Sequence, residues 1–179
     1  MKVLFTCLTF LFTLNVFSQT IVVVKDADLG ADTVSWTKDN VYHLDGYVIL
    51  ESGGLLNIEA GTVIKGLATP STGDISSALI IARGAKINAR GTADQPIIFT
   101  AEFDDVTDPS DLTKNDRGLW GGVLILGSGI VGVNTGLFNV EGIPSTEGRA
   151  EYGGTNNDDN SGVLKYVSIR HGGSKLEAN

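Results

Sequence analysis

The sequence predicts an all-β solenoid, a parallel β-helix with an N-terminal cap and inserted loops. Three observations predict it. A short motif, apolar-x-apolar-x-x-Gly, recurs along the chain. Apart from one interval of 8 residues, from Val48 to Leu56, the spacings between copies fall near 23 residues or twice that. No sustained apolar stripe of helical period runs anywhere in the sequence.

The first segment reads as an address. Lys2 precedes an apolar stretch from Val3 to Phe17, broken by Thr6, Thr9, Thr13 and Asn15, and small Ser18 precedes Gln19. The run is too short and too interrupted for a stable span, which takes about 20 apolar residues. The pattern fits a secretory signal peptide over residues 1–18; the competing reading is a first core strand or helix. Cys7 is the chain's single cysteine and lies inside this segment. An exported chain without it has no disulfide, so packing, backbone hydrogen bonds or bound ions must hold it together. No transmembrane segment is expected once the leader is removed. Residues 19–40, with Trp36, read as a cap over the open first turn of the coil.

The repeat occupies residues 41–179. Its copies are Val48-x-Leu50-x-x-Gly53, Leu56-x-Ile58-x-x-Gly61, Leu79-x-Ile81-x-x-Gly84, Leu124-x-Leu126-x-x-Gly129 and Val167-x-Ile169-x-x-Gly172. Ile87-x-Ala89-x-Gly91 is one residue shorter. Period-two apolar residues bury one side of a short strand, and the glycine permits a tight turn. Leu56 to Leu79 is 23 residues, Leu79 to Leu124 is 45 and Leu124 to Val167 is 43, so Leu56, Leu79 and Leu124 are expected in one stacked column. Apolar runs such as Ala78–Ala82 suit parallel strands covered on both faces. The alternative is an antiparallel sandwich, but Asp45-Gly46 is the single two-residue hairpin signal of the Asn-Gly or Asp-Gly kind. Three segments interrupt the repeat: the loop 67–77, the Asp-rich loop 102–117 and the Gly/Asn-rich stretch 139–162. In a solenoid such insertions often share one face, which commonly binds things.

Composition narrows the partners. The chain has 179 residues, 23 of them Gly, and a formal charge of −8. Without Lys2 it carries 12 basic and 21 acidic groups. That balance argues against nucleic acid or an anionic membrane as partner. At 42% hydrophobic, one domain can bury a core.

These residues resemble a known group. Leu56-Asn-Ile-Glu-Ala-Gly-Thr-Val-Ile-Lys-Gly66, Ala78-Leu-Ile-Ile-Ala-Arg-Gly84 and Gly91-Thr-Ala-Asp-Gln-Pro-Ile-Ile-Phe-Thr100 are similar to rungs of secreted right-handed parallel β-helix proteins of Bacteroidetes-type bacteria. Arg117-Gly-Leu-Trp-Gly-Gly122, Glu141-Gly-Ile-Pro144 and Gly162-Val-Leu-Lys-Tyr-Val-Ser-Ile-Arg-His-Gly-Gly173 extend the likeness over nearly all of residues 36–173. The resemblance implies a right-handed coil and display at the cell surface or outer membrane, in many relatives as type IX secretion cargo ending in a C-terminal sorting domain. The present sequence stops at Asn179 just after a rung, and reads as the N-terminal portion of such a protein or as a truncated reading frame.

Candidate chemistry is sparse. Asp104, Asp105, Asp108 and Asp111 supply hard oxygens suited to Ca²⁺ if their loop folds back, although EF-hand spacing is missing. Asp158 and Asp159, within Asn156–Asn160, form a second oxygen-rich cluster. Both clusters have plainer readings, as a solvated loop and as local Asx turns. If Val167 and Ile169 face inward, Tyr166, Ser168 and Arg170 form an outward row. With Arg117, that row suits sugar hydroxyls and carboxylates. Trp36 and Trp120 are either sugar platforms or core. Mature-chain Cys/His zinc sites, a Gly-x-Ser-x-Gly nucleophile and a phosphate loop are all missing. No catalytic residues are assigned. The expected function is an exported structural or binding module for an extracellular glycan or a surface protein. The rival is a polysaccharide lyase or hydrolase acting on acidic glycans. An open last rung near Val163–Arg170 is expected to promote self-association.

Overall fold

A computed structural model describes residues 19–132 and 136–176. The expected signal peptide, with Cys7, lies outside the described residues. The chain winds as a parallel coil. Its first rung holds β1 (Thr20–Val24) and β2 (Thr33–Trp36). The second holds β3 (Asn40–Leu44), β4 (Tyr47–Leu50) and β5 (Leu55–Ile58). The third holds β6 (Val63–Gly66), β7 (Ala78–Ile81) and β8 (Lys86–Arg90). The fourth holds β9 (Ile97–Ala101), β10 (Gly122–Ile125) and, after an excursion through β11 (Phe138–Asn139) and β12 (Glu151–Tyr152), β13 (Gly162–Lys165). β14 (Val167–Ile169) opens a fifth.

Rung upon rung, the strands make three parallel sheets. The first sheet runs β1-β3-β6-β9-β14, the second β4-β7-β10 and the third β2-β5-β8-β13. β11 and β12 pair antiparallel outside the coil. Among the described residues no helix is long and apolar enough to cross a membrane.

One expectation about the coil needs correction. Leu56, Leu79 and Leu124 do not share a column. Leu56 stacks between Val34 and Ile87 in the third sheet. Leu79 stacks between Val48 and Val123 in the second, and Leu124 stands beside Ile80. The physical reason is that each rung carries three strands with the same strand-glycine signature. A 23-residue step therefore leads from one sheet to the next. A full turn takes 22 residues where no loop intervenes, as from Val41 to Val63 or from Val34 to Leu56. Residues 19–40, expected as a cap, supply β1 and β2 and a bridge from Gly30 to Leu50, so the next turn is covered by a rung like itself.

Alternation along each strand fills the coil. Leu44, Leu56, Ile64, Leu79, Ile87 and Phe99 are fully buried in one interior cluster. Trp120, 0% exposed, belongs to it too. It fits because Gly66 is below: a Cβ there would lie 2.7 Å from the indole. Trp36 is buried as well, stacked on Tyr42 with ring centroids 4.9 Å apart. Both tryptophans are core, not sugar platforms.

The run Ala78–Ala82 is covered on both faces, as its composition requires. On the outer face of the second sheet, Ile49, Ala78, Ile80 and Ala82 pack with Ile143 and Ala150 of the excursion after β10. Arg149 fastens that excursion to the first two rungs. Its guanidinium lies 2.9 Å from Asp26, 3.1 Å from Glu51 and 2.7 Å from Glu147.

Candidate functional site

The chain leaves the coil after β9 and returns at β10. Between them, residues 102–121 cross the corner that joins the first and second sheets. The loop 67–77 leaves the same corner one rung earlier. The Asp-rich loop is shaped by its own side chains. Asp105 Oδ1 accepts from Thr107 N at 3.0 Å and Thr107 Oγ1 at 2.7 Å. Asp108 Oδ1 accepts from Ser110 N at 2.9 Å and Ser110 Oγ at 2.6 Å. Asp116 Oδ2 accepts from Thr113 N at 2.7 Å and Thr113 Oγ1 at 2.8 Å. Asp111 accepts from the backbone N–H groups of Asp105 and Leu112. Each carboxylate closes a turn of its own loop. Hydrogen bonds to the charged form lower a carboxyl pKa. The Thr107 hydroxyl holds Asp105 below the usual carboxylate range, the Ser110 hydroxyl does so for Asp108, and the Thr113 N–H for Asp116.

Asp104 anchors the loop to the coil. It is 3% exposed, accepts from Thr100 Oγ1 and lies 3.5 Å from Arg170 Nη1. Its carbonyl oxygen accepts from Lys65 Nζ at 2.7 Å. Lys65 and Thr100 are register partners on the outer face of the first sheet. Arg170 continues that file on β14's side, its N–H donating to the Phe99 carbonyl. One outward column of the sheet thus grips one loop residue.

Above this anchor is a groove of about 510 Å³. It is lined by Asp104, Asp108, Asp111 and Asp116, and by Lys114, Arg117, Arg170 and His171 among others. Arg117 is exposed and forms no salt bridge with any described residue. Arg170 is steadied by Asp104 and by Ser168, whose Oγ accepts from Arg170 Nε at 3.1 Å. The Arg170 carbonyl accepts from Trp120 Nε1 at 2.7 Å, which ties the groove wall to the core. His171 has φ 55, a left-handed backbone unusual for a residue with a Cβ. Its Nδ1 meets the Asp116 carbonyl oxygen.

The structure brings together two sets of residues the sequence suggested separately. Asp104, Asp108 and Asp111 face the same groove as Arg117 and Arg170. Asp105 is not among its lining residues and serves the loop's turns. The expected row Tyr166, Ser168, Arg170 is broken. Tyr166 has φ 49 and forms the corner before β14, so strand alternation does not reach it. It is 53% exposed, with Lys165 Nζ 5.5 Å from its ring centroid. Asp158 and Asp159 sit at a different corner. Asp159 Oδ2 accepts from Ser128 N at 3.0 Å and Ser161 Oγ at 3.3 Å, while Asp158 is exposed. Among the described residues no three His, Cys, Asp or Glu side chains converge on a position for a metal ion. Lys114, Asp116 and His171 line the groove without having been singled out for it. The signal for His171 was its place: it ends a strand of the first sheet at the corner where the acidic loop emerges.

The arrangement offers hydrogen-bond donors. Every Asp around the groove has at least one oxygen engaged by the loop or by Arg170, whereas Arg117 has no ionic partner among the described residues. Such a site suits an anionic, hydroxyl-bearing ligand.

No curated protein matches the chain, and no solved structure does. The family described as a pectate-lyase-like β-helix domain matches residues 29–179. That stretch contains all but the opening of the coil, the whole acidic loop and every residue of the groove, so the chain belongs to the pectate-lyase-like β-helix domain family.

Proposed function

We propose that this chain is an exported β-helix binding module, displayed outside the cell, whose groove beside the first sheet takes an acidic glycan. The observation that carries the reading is the convergence of Arg117, Arg170, Lys114 and His171 on one groove. Planar guanidinium groups meet carboxylates through paired hydrogen bonds, and neighbouring Asp oxygens accept from sugar hydroxyls. The stacked rungs hold the groove walls rigid, because Arg170 is bound to Trp120 in the core. The leader-like segment 1–18 supports export.

A second reading has one specific support, membership of a pectate-lyase-like family. Elimination on a uronate needs a base for the proton α to the carboxylate and a cation to stabilise the resulting charge. His171 and Arg117 are groups of those types in one groove.

One experiment separates the two. Calorimetry with trigalacturonate and its fully methyl-esterified counterpart, with and without Ca²⁺, measures binding. Ultraviolet absorbance of the same mixtures detects unsaturated product. Binding of the acid form without product supports the module. Product shows a lyase. Binding of neither saccharide overturns both readings of the groove.

A further inference from the structure

We infer that the groove divides its work between its two arginines: Arg170, fixed in place by Ser168 and Asp104, selects which acidic glycan binds, and Arg117 supplies affinity without selection. Ser168 is the positioning residue of this device. The inference rests on the acidic-glycan reading above and identifies the residues that set its specificity.

Arg170 is held along its whole length. Its backbone N–H donates to the Phe99 carbonyl at 2.9 Å, and its own carbonyl accepts from Trp120 Nε1 at 2.7 Å. Those two bonds tie its backbone to the core. In β14, Val167 and Ile169 stack on the interior residues Ile97 and Phe99, so alternation turns Ser168 and then Arg170 outward. The two outward side chains meet: Ser168 Oγ accepts from Arg170 Nε at 3.1 Å. Asp104 Oδ2 lies 3.5 Å from Arg170 Nη1, and that carboxylate is itself buried and bonded to Thr100. Two of the three guanidinium nitrogens are thus engaged, and among the described residues Nη2 has no partner. A planar fork pinned at two nitrogens offers its remaining donors in one direction. The side chain still reaches water, at 37% exposure, and the residue lines the groove.

Arg117 lines the same groove under opposite conditions. It belongs to the loop, is exposed, and makes no salt bridge or side-chain hydrogen bond with any described residue. An unanchored guanidinium loses side-chain freedom when it binds, but it can follow a carboxylate to several positions. A fixed one loses little and favours the carboxylate that arrives where its donors already point. Charge divides the two in the same sense. Asp104 neutralises part of the field of Arg170, so attraction at a distance falls to Arg117 and Lys114, and Arg170 contributes direction. Trigalacturonate and trimannuronate carry equal charge, but their linkages and ring stereochemistry set the carboxylates at different spacings and angles. Arg117 adapts to either, whereas Arg170 meets one better than the other.

The test is calorimetric titration of the protein with trigalacturonate and with trimannuronate at one ionic strength, read as the ratio of the two affinities. The parent is expected to prefer one trisaccharide by about tenfold, the scale of one charge-assisted hydrogen bond. Ser168→Ala is expected to reduce that ratio about threefold, the scale of releasing one long side chain, with the urea midpoint unchanged. Ser168→Thr retains the hydroxyl on a residue that suits a strand, and is expected to keep the ratio. Arg170→Lys keeps the charge without the fork and is expected to bring the two affinities together. Arg117→Ala is expected to weaken both saccharides by the same factor. Equal affinities in the parent overturn the inference and leave the acidic-glycan reading standing. So does a preference that survives in Arg170→Lys, that Ser168→Ala leaves intact, or that Arg117→Ala abolishes. Failure of both saccharides to bind overturns the inference and the reading together.

Discussion

Asp104 and Arg117 show how differently two charged residues of one groove are employed. Asp104 is buried, and three groups from three strands depend on it: Thr100, Arg170 and, through its carbonyl, Lys65. Replacing it by Ala leaves the Thr100 hydroxyl and a guanidinium without their acceptor in a partly dry place. Asp104→Ala is therefore expected to lower stability by about 1–3 kcal/mol, read from the midpoint of urea unfolding. Arg117 is the reverse case. It is exposed and has no ionic partner among the described residues, so Arg117→Ala is expected to leave the urea midpoint within about 0.5 kcal/mol of the parent. Affinity for trigalacturonate is expected to fall about tenfold, the value of a charge-assisted pair of hydrogen bonds. A stability loss in Arg117→Ala comparable to that in Asp104→Ala would show that the guanidinium is structural. The residue types of the groove were legible in the sequence, because Asp and Arg in a loop advertise themselves. Their meeting was not, since Arg117 and Arg170 stand 53 positions apart and only the register of β14 on β9 brings the latter beside Asp104. Tyr166 misled for a local reason: alternation was extended one residue too far, into a left-handed corner.

Single strands of this coil are too short to be stable alone; each is held by its neighbours above and below. That is why the strand motif was readable and the rung was not. Val48-x-Leu50, Leu56-x-Ile58 and Leu79-x-Ile81 each announce a buried strand face, but nothing local says which of three sheets a strand joins. The excursion after β10 shows the same limit. Its apolar residues Ile143 and Ala150 signal burial without naming their partner, the outer face of β4 and β7. Arg149 completes that docking through Asp26 and Glu51, its guanidinium oriented by Glu147 of its own segment. Arg149 holds Glu147 below the usual carboxylate range, foremost by its side-chain hydrogen bond. A carboxyl with a depressed folded-state pKa contributes stability that is fully present above its unfolded value of about 4.3 and is lost as pH falls through the folded value. Acid below that point is therefore expected to release the Arg149 guanidinium from Glu147 and, with its orientation lost, to weaken its reach to Asp26 and Glu51, loosening the excursion. Hydrogen exchange at Val140 and Gly153, whose N–H groups donate to the Ala150 and Gly127 carbonyls, measures this. Arg149→Gln is expected to raise those exchange rates already at neutral pH and to remove their rise in acid. Unchanged rates in Arg149→Gln would mean that Ile143 and Ala150 suffice to hold the element.

For the whole molecule, parallel stacking settles what its ends must look like. Every interior position needs a rung on each side to be dry. Leu164 stands over Ala89 and Ile169 over Phe99, both in interior columns. Yet Leu164 is 41% and Ile169 50% exposed, while Ala89 and Phe99 beneath them are fully buried. Among the described residues, β13 and β14 pair with β8 and β9 alone, so their N–H and C=O groups on the far side meet no other strand. An apolar end with a free ladder is a template for another strand layer. The acidic charge of −8 opposes close approach of two copies, but salt screens it beyond about 8 Å at physiological ionic strength. This face is therefore expected to take another strand layer, a further rung or a second copy; a polypeptide of residues 19–179 produced alone should self-associate end to end, more readily as salt is raised. Light scattering should show an average mass that climbs with concentration, and the double substitution Leu164→Glu, Ile169→Glu should hold it at one chain. Charge repulsion acting alone would make the parent monodisperse at low salt and at high salt alike. That outcome at high concentration would mean the exposed columns are too small an area to drive association, and that the end of the coil tolerates water.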